Sequence, residues 1–211
     1  SPNPVLGWVG SLTQFNTSSG YWLYMGDSVD TLDIEGVGID PNKQYDLHLG
    51  LNLISFPVPG SVGISEGIPD DIEDLVPYII SEAVATAQIN GEWVGSLVSF
   101  DGAHGYWFNV DEPITFQYDL ETLDALSRQK SVYSSKADNP FKFSQSAIQS
   151  FYFIDVGEIE EARFGDWVLA YHNELLVGSR QWMGKHIDVP VMGHDGRWNT
   201  IGYPQIGDEI E

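Results

Sequence analysis

The 211-residue chain contains no cysteine, and it sets only 9 lysines and arginines against 31 aspartates and glutamates, a formal charge of −22. The first absence excludes disulfides, thiolate metal sites and cysteine catalysis together. The shortage of cations excludes a nucleic-acid partner and an anionic membrane surface, because a field of this sign repels phosphate. No apolar stretch reaches the roughly 18 residues that a helix needs to cross a bilayer, so direct membrane insertion is not expected. Ser1-Pro2-Asn3-Pro4 has none of the features of a signal peptide. A Gly-x-Gly-x-x-Gly fingerprint, a Walker A sequence and a Gly-x-Ser-x-Gly elbow are also missing. Dinucleotide, phosphate-cradling and serine-nucleophile chemistries therefore have no motif here, and the chain is not expected to be an enzyme. What is present is 42% hydrophobic residues and 13% aromatic ones, with 7 Trp and 10 Tyr. That is enough for a real core and too much for a disordered acidic chain.

An internal repeat organises the first 120 residues. Trp8-Val9-Gly10-Ser11-Leu12 recurs 85 residues later as Trp93-Val94-Gly95-Ser96-Leu97. The register holds from Phe15 to Phe100 and from Gly20-Tyr21-Trp22 to Gly105-Tyr106-Trp107. Three separated aromatic clusters in one register indicate two copies of one structural unit. The first copy has only a few residues ahead of its Trp, so part of its unit is expected to lie outside these 211 residues.

Alternation of apolar and polar residues predicts that the fold is mainly β. Ala83–Ile89 and Glu92–Val98 flank Asn90-Gly91, the preferred pair of a two-residue type I′ hairpin. Asp70–Val76 predicts a short helix, its acids suited to the positive end of the helix dipole and its length limited by Pro77. Residues 127–139 are poor in apolar side chains and precede Pro140, which predicts a linker or surface crossing. Beyond it, Phe151–Val156 predicts a strand. Trp167–Tyr171 and Leu175–Ser179 predict a hairpin around His172-Asn173-Glu174. The expectation is two β-sandwich-like modules with at most one or two short helices. They comprise a duplicated module over residues 1–130, incomplete at its start, a linker over 131–140, and a C-terminal module over 141–211 that stops short of a further strand.

The pattern of Gly50–Pro57, followed by Trp93–Leu97 and Gly105–Trp107, resembles modules of large secreted or surface proteins of marine and Bacteroidota-like bacteria. Gly165–Tyr171, Val177–Arg180 and Asp188–Gly193 resemble a β module placed near the C-terminal part of such proteins. His172-Asn173-Glu174 departs from the Asn-Gly-Asp-like turn more usual there. The resemblance implies an extracellular or cell-surface location and a noncatalytic structural or adhesive role within a multidomain protein. A carbohydrate-binding module attached to a polysaccharide-processing enzyme is the alternative. Extracellular polysaccharide or another surface protein is the implied partner.

Three candidate sites follow. Trp8, Trp22, Trp93 and Trp107 form a carbohydrate platform if their rings are exposed, because indoles stack on sugar faces; buried, the same rings are equivalent core residues of two units. Asp188, Asp195 and Asp208, with turn carbonyls near Gly193 and Gly196, offer the hard oxygen ligands that Ca2+ takes, although the spacing is not that of an EF-hand. Turn-capping aspartates are the alternative to that metal site. His186, Asp188 and His194 carry a weaker transition-metal pattern. Asn16-Thr17-Ser18 matches a glycosylation acceptor, incidental in a bacterial setting.

Overall fold

The computed structural model describes residues 2–3, 5, 7–21, 38–123, 139–155, 159–184 and 186–211. Among the described residues the protein is mainly β, in several antiparallel sheets with two short helices. No helix among the described residues is long and apolar enough to cross a membrane.

After a short antiparallel pair of β1 (Pro2–Asn3) and β2 (Gly7–Trp8), a five-stranded antiparallel sheet carries the first hydrophobic core. It is built from β4 (Gly50–Ser55), β6 (Tyr78–Ser81), β7 (Val84–Ile89), β8 (Glu92–Gly95) and β10 (Gly105–Val110), in the order β4-β10-β6-β7-β8. The β7–β8 hairpin turns at Asn90-Gly91, with φ of 56° and 79°. Both central residues thus occupy the left-handed region that a type I′ turn demands. Side chains alternate as a strand requires: Tyr106, Phe108 and Val110 point into the core, while Trp107 lies on the other face between its cross-strand partners Leu53 and Ile80.

The inner face is covered by two small antiparallel pairs. One joins β3 (Tyr45–Leu47) to β11 (Ile114–Phe116), and the other joins β5 (Ser61–Gly63) to β9 (Ser99–Asp101). Phe100 is the hub of this core. It stacks with Phe56 and Phe108 and meets Tyr106 and Tyr118 edge-on, geometries that favour aromatic packing beyond area alone. Two one-turn helices, α1 (Ile64–Gly67) and α2 (Asp70–Glu73), cross from β5 to β6, and α1 brings Gly67 so near Phe100 that a Cβ there would clash with the ring. α2 falls where the acidic run predicts a helix.

The repeat is reproduced in local geometry. Phe15 and Tyr21 meet at 4.9 Å and 89°, while Phe100 and Tyr106 meet at 5.0 Å and 88°. The amide after each Phe donates to the Tyr hydroxyl, Asn16 to Tyr21 and Asp101 to Tyr106. Gly10 and Gly95 share a φ of 145° and 146°. Trp22 lies outside the described residues, as does most of the predicted linker. The first copy is anchored on the second through Ser19, which bridges to Ile54 of β4, and Gly20, whose amide donates to the Leu53 carbonyl.

A second hydrophobic cluster gathers Ala170, Val177, Ile187, Val189, Val191, Met192 and Tyr203. Here β12 (Gln149–Asp155) pairs with β15 (His186–Met192), and β13 (Trp167–His172) pairs with β14 (Leu175–Gln181). The hairpin forms as predicted, but its turn is only Asn173-Glu174; His172 belongs to the strand opposite Leu175. Asn173 and Glu174 both take positive φ, and a bulge at Ala170/Tyr171 corrects the register.

Candidate functional site

The most constrained polar arrangement lies where the two clusters meet. β15 is buried on both faces: Ile187, Val189 and Val191 turn toward the second cluster, and Asp188 turns the other way. That alternation drives a carboxylate 1% exposed into the end of the five-stranded sheet. There it accepts from the Ala85 amide at 3.1 Å, the Ser96 amide at 2.8 Å and the Ser96 hydroxyl at 2.7 Å. Arg180 of β14 completes the set at 3.1 Å and also donates to the carbonyls of Asp188 and Ala83. Burial pushes the Asp188 carboxyl above its usual range, with Arg180, Ser96 and Ala85 pulling it back. A buried charge persists only when paired and hydrogen-bonded, and both oxygens here have partners.

On either side of the junction a glycine lets neighbouring strands close on each other. A Cβ on Gly95, at φ 146°, would stand 2.2 Å from the Ala85 carbonyl oxygen, and one on Gly178 would stand 1.7 Å from that of Pro190. Beside the junction opens a cleft of about 340 Å3 lined by Ala83, Phe141, Phe143, Ser179, Arg180 and Pro190.

The structure does not bring the predicted calcium ligands together. Asp188 is occupied as above. Asp195 accepts from the Thr200 hydroxyl at 2.8 Å and from the Arg197 and Ala147 amides, and pairs with the Arg197 guanidinium. Burial acts to raise its pKa, but these donors outweigh it and the carboxyl falls below its usual range. Asp208 accepts from the Gln205 amide and faces His172. Among the described residues no group of three or more His, Asp or Glu side chains is placed to hold a metal ion. The transition-metal trio is likewise divided, with His186 beside Asp155 and His194 on the Thr200 carbonyl.

Of the repeated indoles, the two whose side chains are described, Trp93 and Trp107, are not exposed. Trp93 is half-buried against the first core and its Nε1 donates to Glu73. Trp107 is half-buried in the sheet face. The side chain of Trp8, like all of Trp22, is outside what the structure describes. Among the described residues the exposed indole is Trp198, 76% accessible on a 3-10 turn at Trp198–Thr200, with no repeat to mark it in the sequence. Asp188's role did have a signal: it is a lone acid inside the apolar run Ile187–Met192, and such an acid needs dedicated partners. No family, no curated protein and no solved structure matches this chain.

Proposed function

We propose that the chain is a noncatalytic structural or adhesive module of a secreted multidomain bacterial protein, working as a stiff connecting piece. The observation that carries this reading is the Asp188 junction. A carboxylate with four donors, supplied from positions 92 and 103 residues away and from Arg180, fixes two β units against each other and leaves little freedom at their contact. Such a joint suits a part that transmits position rather than one that opens and closes. Spin relaxation of backbone amides tests it: both units are expected to tumble with one correlation time, and two distinct times would overturn the reading.

A second reading, carbohydrate recognition, draws on Trp198. Its exposed ring, with exposed Ile201 three residues on, supplies a stacking surface that the half-buried Trp93 and Trp107 do not. A glycan array with the whole chain and with Trp198→Ala separates the two. Retained binding in the variant, or none in either, removes this reading.

A further inference from the structure

The cleft of about 340 Å3 beside the Asp188 junction takes its walls from the β6–β7 turn, from the segment ahead of β12, and from β14 and β15. Its volume is at the small end of ligand sites, which hold a molecule by apolar walls and a few placed polar groups. The apolar walls are led by Phe141, Phe143 and Pro190, and they are fixed in advance. The Phe141 ring meets Trp167 at 5.3 Å and 61°, its amide donates to Asn139 Oδ1 at 2.8 Å, and Asn139 Nδ2 donates to the Ser179 hydroxyl at 2.9 Å. Phe143 packs on the second cluster, and the Ser144 amide beside it donates to the Tyr203 hydroxyl at 2.7 Å. A site ordered beforehand loses less entropy when it is filled.

Two polar groups of this lining are not spent on the fold. Arg180 gives Nε to the Asp188 carbonyl, and Nη2 to the Ala83 carbonyl and the Asp188 carboxylate. Both hydrogens of Nη1 are left without a partner among the described residues. That nitrogen is not sealed from solvent, so it opens to the cleft that Arg180 lines. The side-chain amide of Gln145, in the same lining, also has no hydrogen-bond partner among the described residues.

Charge selects a neutral ligand. Arg180 is matched by Asp188 behind it, and Lys142 and Glu82 of the lining carry opposite formal charges. An anion therefore finds no net opposite charge here, and the field of a −22 chain repels it. What fits is a carbonyl oxygen for Nη1, an N–H for the Gln145 oxygen, and a small apolar group for the two rings and the proline. An acetamido group has those three parts. On a sugar ring it enters end-on as a substituent, whereas a peptide amide lies in mid-chain and brings bulk on both sides into a space this small.

We propose that the cleft binds an N-acetylated amino sugar, with the acetamido carbonyl on Arg180 Nη1, its N–H on Gln145 and its methyl among Phe141, Phe143 and Pro190. Carbohydrate recognition thereby has a place and a chemistry that do not depend on Trp198.

Nuclear magnetic resonance titration of the whole chain with N-acetylglucosamine tests the proposal. Expected are saturable shifts in the millimolar range at the Arg180 Nε–H, the Gln145 side-chain amide and the backbone amides of Ala83 and Ser179. Glucose, which lacks the acetamido group, and N-acetylalanine methylamide, which carries the amide without the sugar, are expected to leave these signals in place. Gln145→Ala removes a side chain that has no hydrogen-bond partner in the described fold, so it is expected to melt with the wild type and to bind about fivefold more weakly, the worth of one hydrogen bond. Trp198→Ala is expected to bind as the wild type does. Absence of saturable shifts, equal binding of glucose or the methylamide, or full affinity in Gln145→Ala overturns the proposal. So does loss of binding in Trp198→Ala, which would move the sugar from the cleft to that ring.

Discussion

Replacing Asp188 with alanine removes the acceptor for two backbone amides, one hydroxyl and one guanidinium at a site almost without solvent. The Ser96 hydroxyl can rotate, and Arg180 keeps its bonds to the Ala83 and Asp188 carbonyls. The Ala85 and Ser96 amides have no such recourse. Breaking a buried pair by removing one partner costs about 3–5 kcal/mol, and that is the loss expected here. With a urea slope of about 2 kcal/mol per molar, the midpoint falls by roughly 1.5–2.5 M. Asp188→Asn is the informative companion. Its amide keeps the shape but turns an NH2 toward donors, so a loss of about 1.5–3 kcal/mol is expected, the worth of a charge-assisted hydrogen bond. Tryptophan fluorescence and far-ultraviolet circular dichroism follow the transition, with Trp93 and Trp107 in the first unit and Trp167, Trp182 and Trp198 in the second. In the alanine variant the second unit is expected to unfold ahead of the first, splitting one transition into two. A midpoint shift below about 0.5 M with a single transition would refute the reasoning, because the carboxylate would then contribute no more than an exposed ion pair.

Asp195 should make the protein sensitive to acid: its folded carboxyl lies below the usual 3.8, so its stabilisation is present above that value and is lost as pH falls through the folded one. Acid titration of Asp195→Asn is expected to show a shallower loss there than wild type; identical slopes would remove Asp195 as the cause. Asp188 works with the opposite sign, since a folded carboxyl raised above 3.8 contributes less stability as pH rises through its folded value. Gly95→Ala meets both a positive φ and the Ala85 carbonyl, and a loss of at least about 1–3 kcal/mol is expected from the backbone conformation alone. An unchanged melting temperature would contradict that geometry. Melts in calcium, in magnesium and in monovalent salt of matched ionic strength are expected to coincide, as the three aspartates are committed to separate hydrogen-bond networks. A calcium-specific rise that Asp208→Ala abolishes would assign coordination to that residue.

Local chemistry was readable from the residues, and tertiary partnership was not. Asn90-Gly91 names its turn because few other pairs tolerate two consecutive left-handed residues. The predicted start of α2 at Asp70 and the strand predicted over Phe151–Val156, which the structure describes as Gln149–Asp155, follow equally local rules. The sequence predicts the hairpin at residue 173 with a turn one residue longer than the observed Asn173-Glu174, since Glu174 accepts a φ of 65° that glycine usually takes. The repeat was visible as text, and so was the likeness of its two Phe–Tyr pairs. Their opposite burial, Phe15 exposed and Phe100 buried, was invisible, because exposure depends on what packs above a residue and not on the residue itself. The same limit applied to the candidate ligands. Asp188, Asp195 and Asp208 look alike in an acidic C-terminal sequence, yet the pairing of β15 turns one of them inward, toward residues almost half the chain away.

That separation has a consequence for the order in which the molecule assembles. The hairpins of β6, β7 and β8 close loops of only a few residues, whereas the bonds of Asp188 to Ala85 and Ser96 close loops of 103 and 92. Closing a longer loop costs more chain entropy, and contacts of high sequence separation form slowly. As the chain emerges during synthesis, the Ala85–Ser96 end of the sheet must wait uncovered until β15 has been made. Ala85 and Ser96 amides are then held by water alone at an open sheet end, where an unpaired strand invites the wrong neighbour. Residues 97–187, among them the polar and charged stretch of sequence between Leu123 and Asn139, are translated in that interval, so the vulnerable period is set by the ribosome's pace across them, and a pause placed there lengthens the exposure without altering the finished structure.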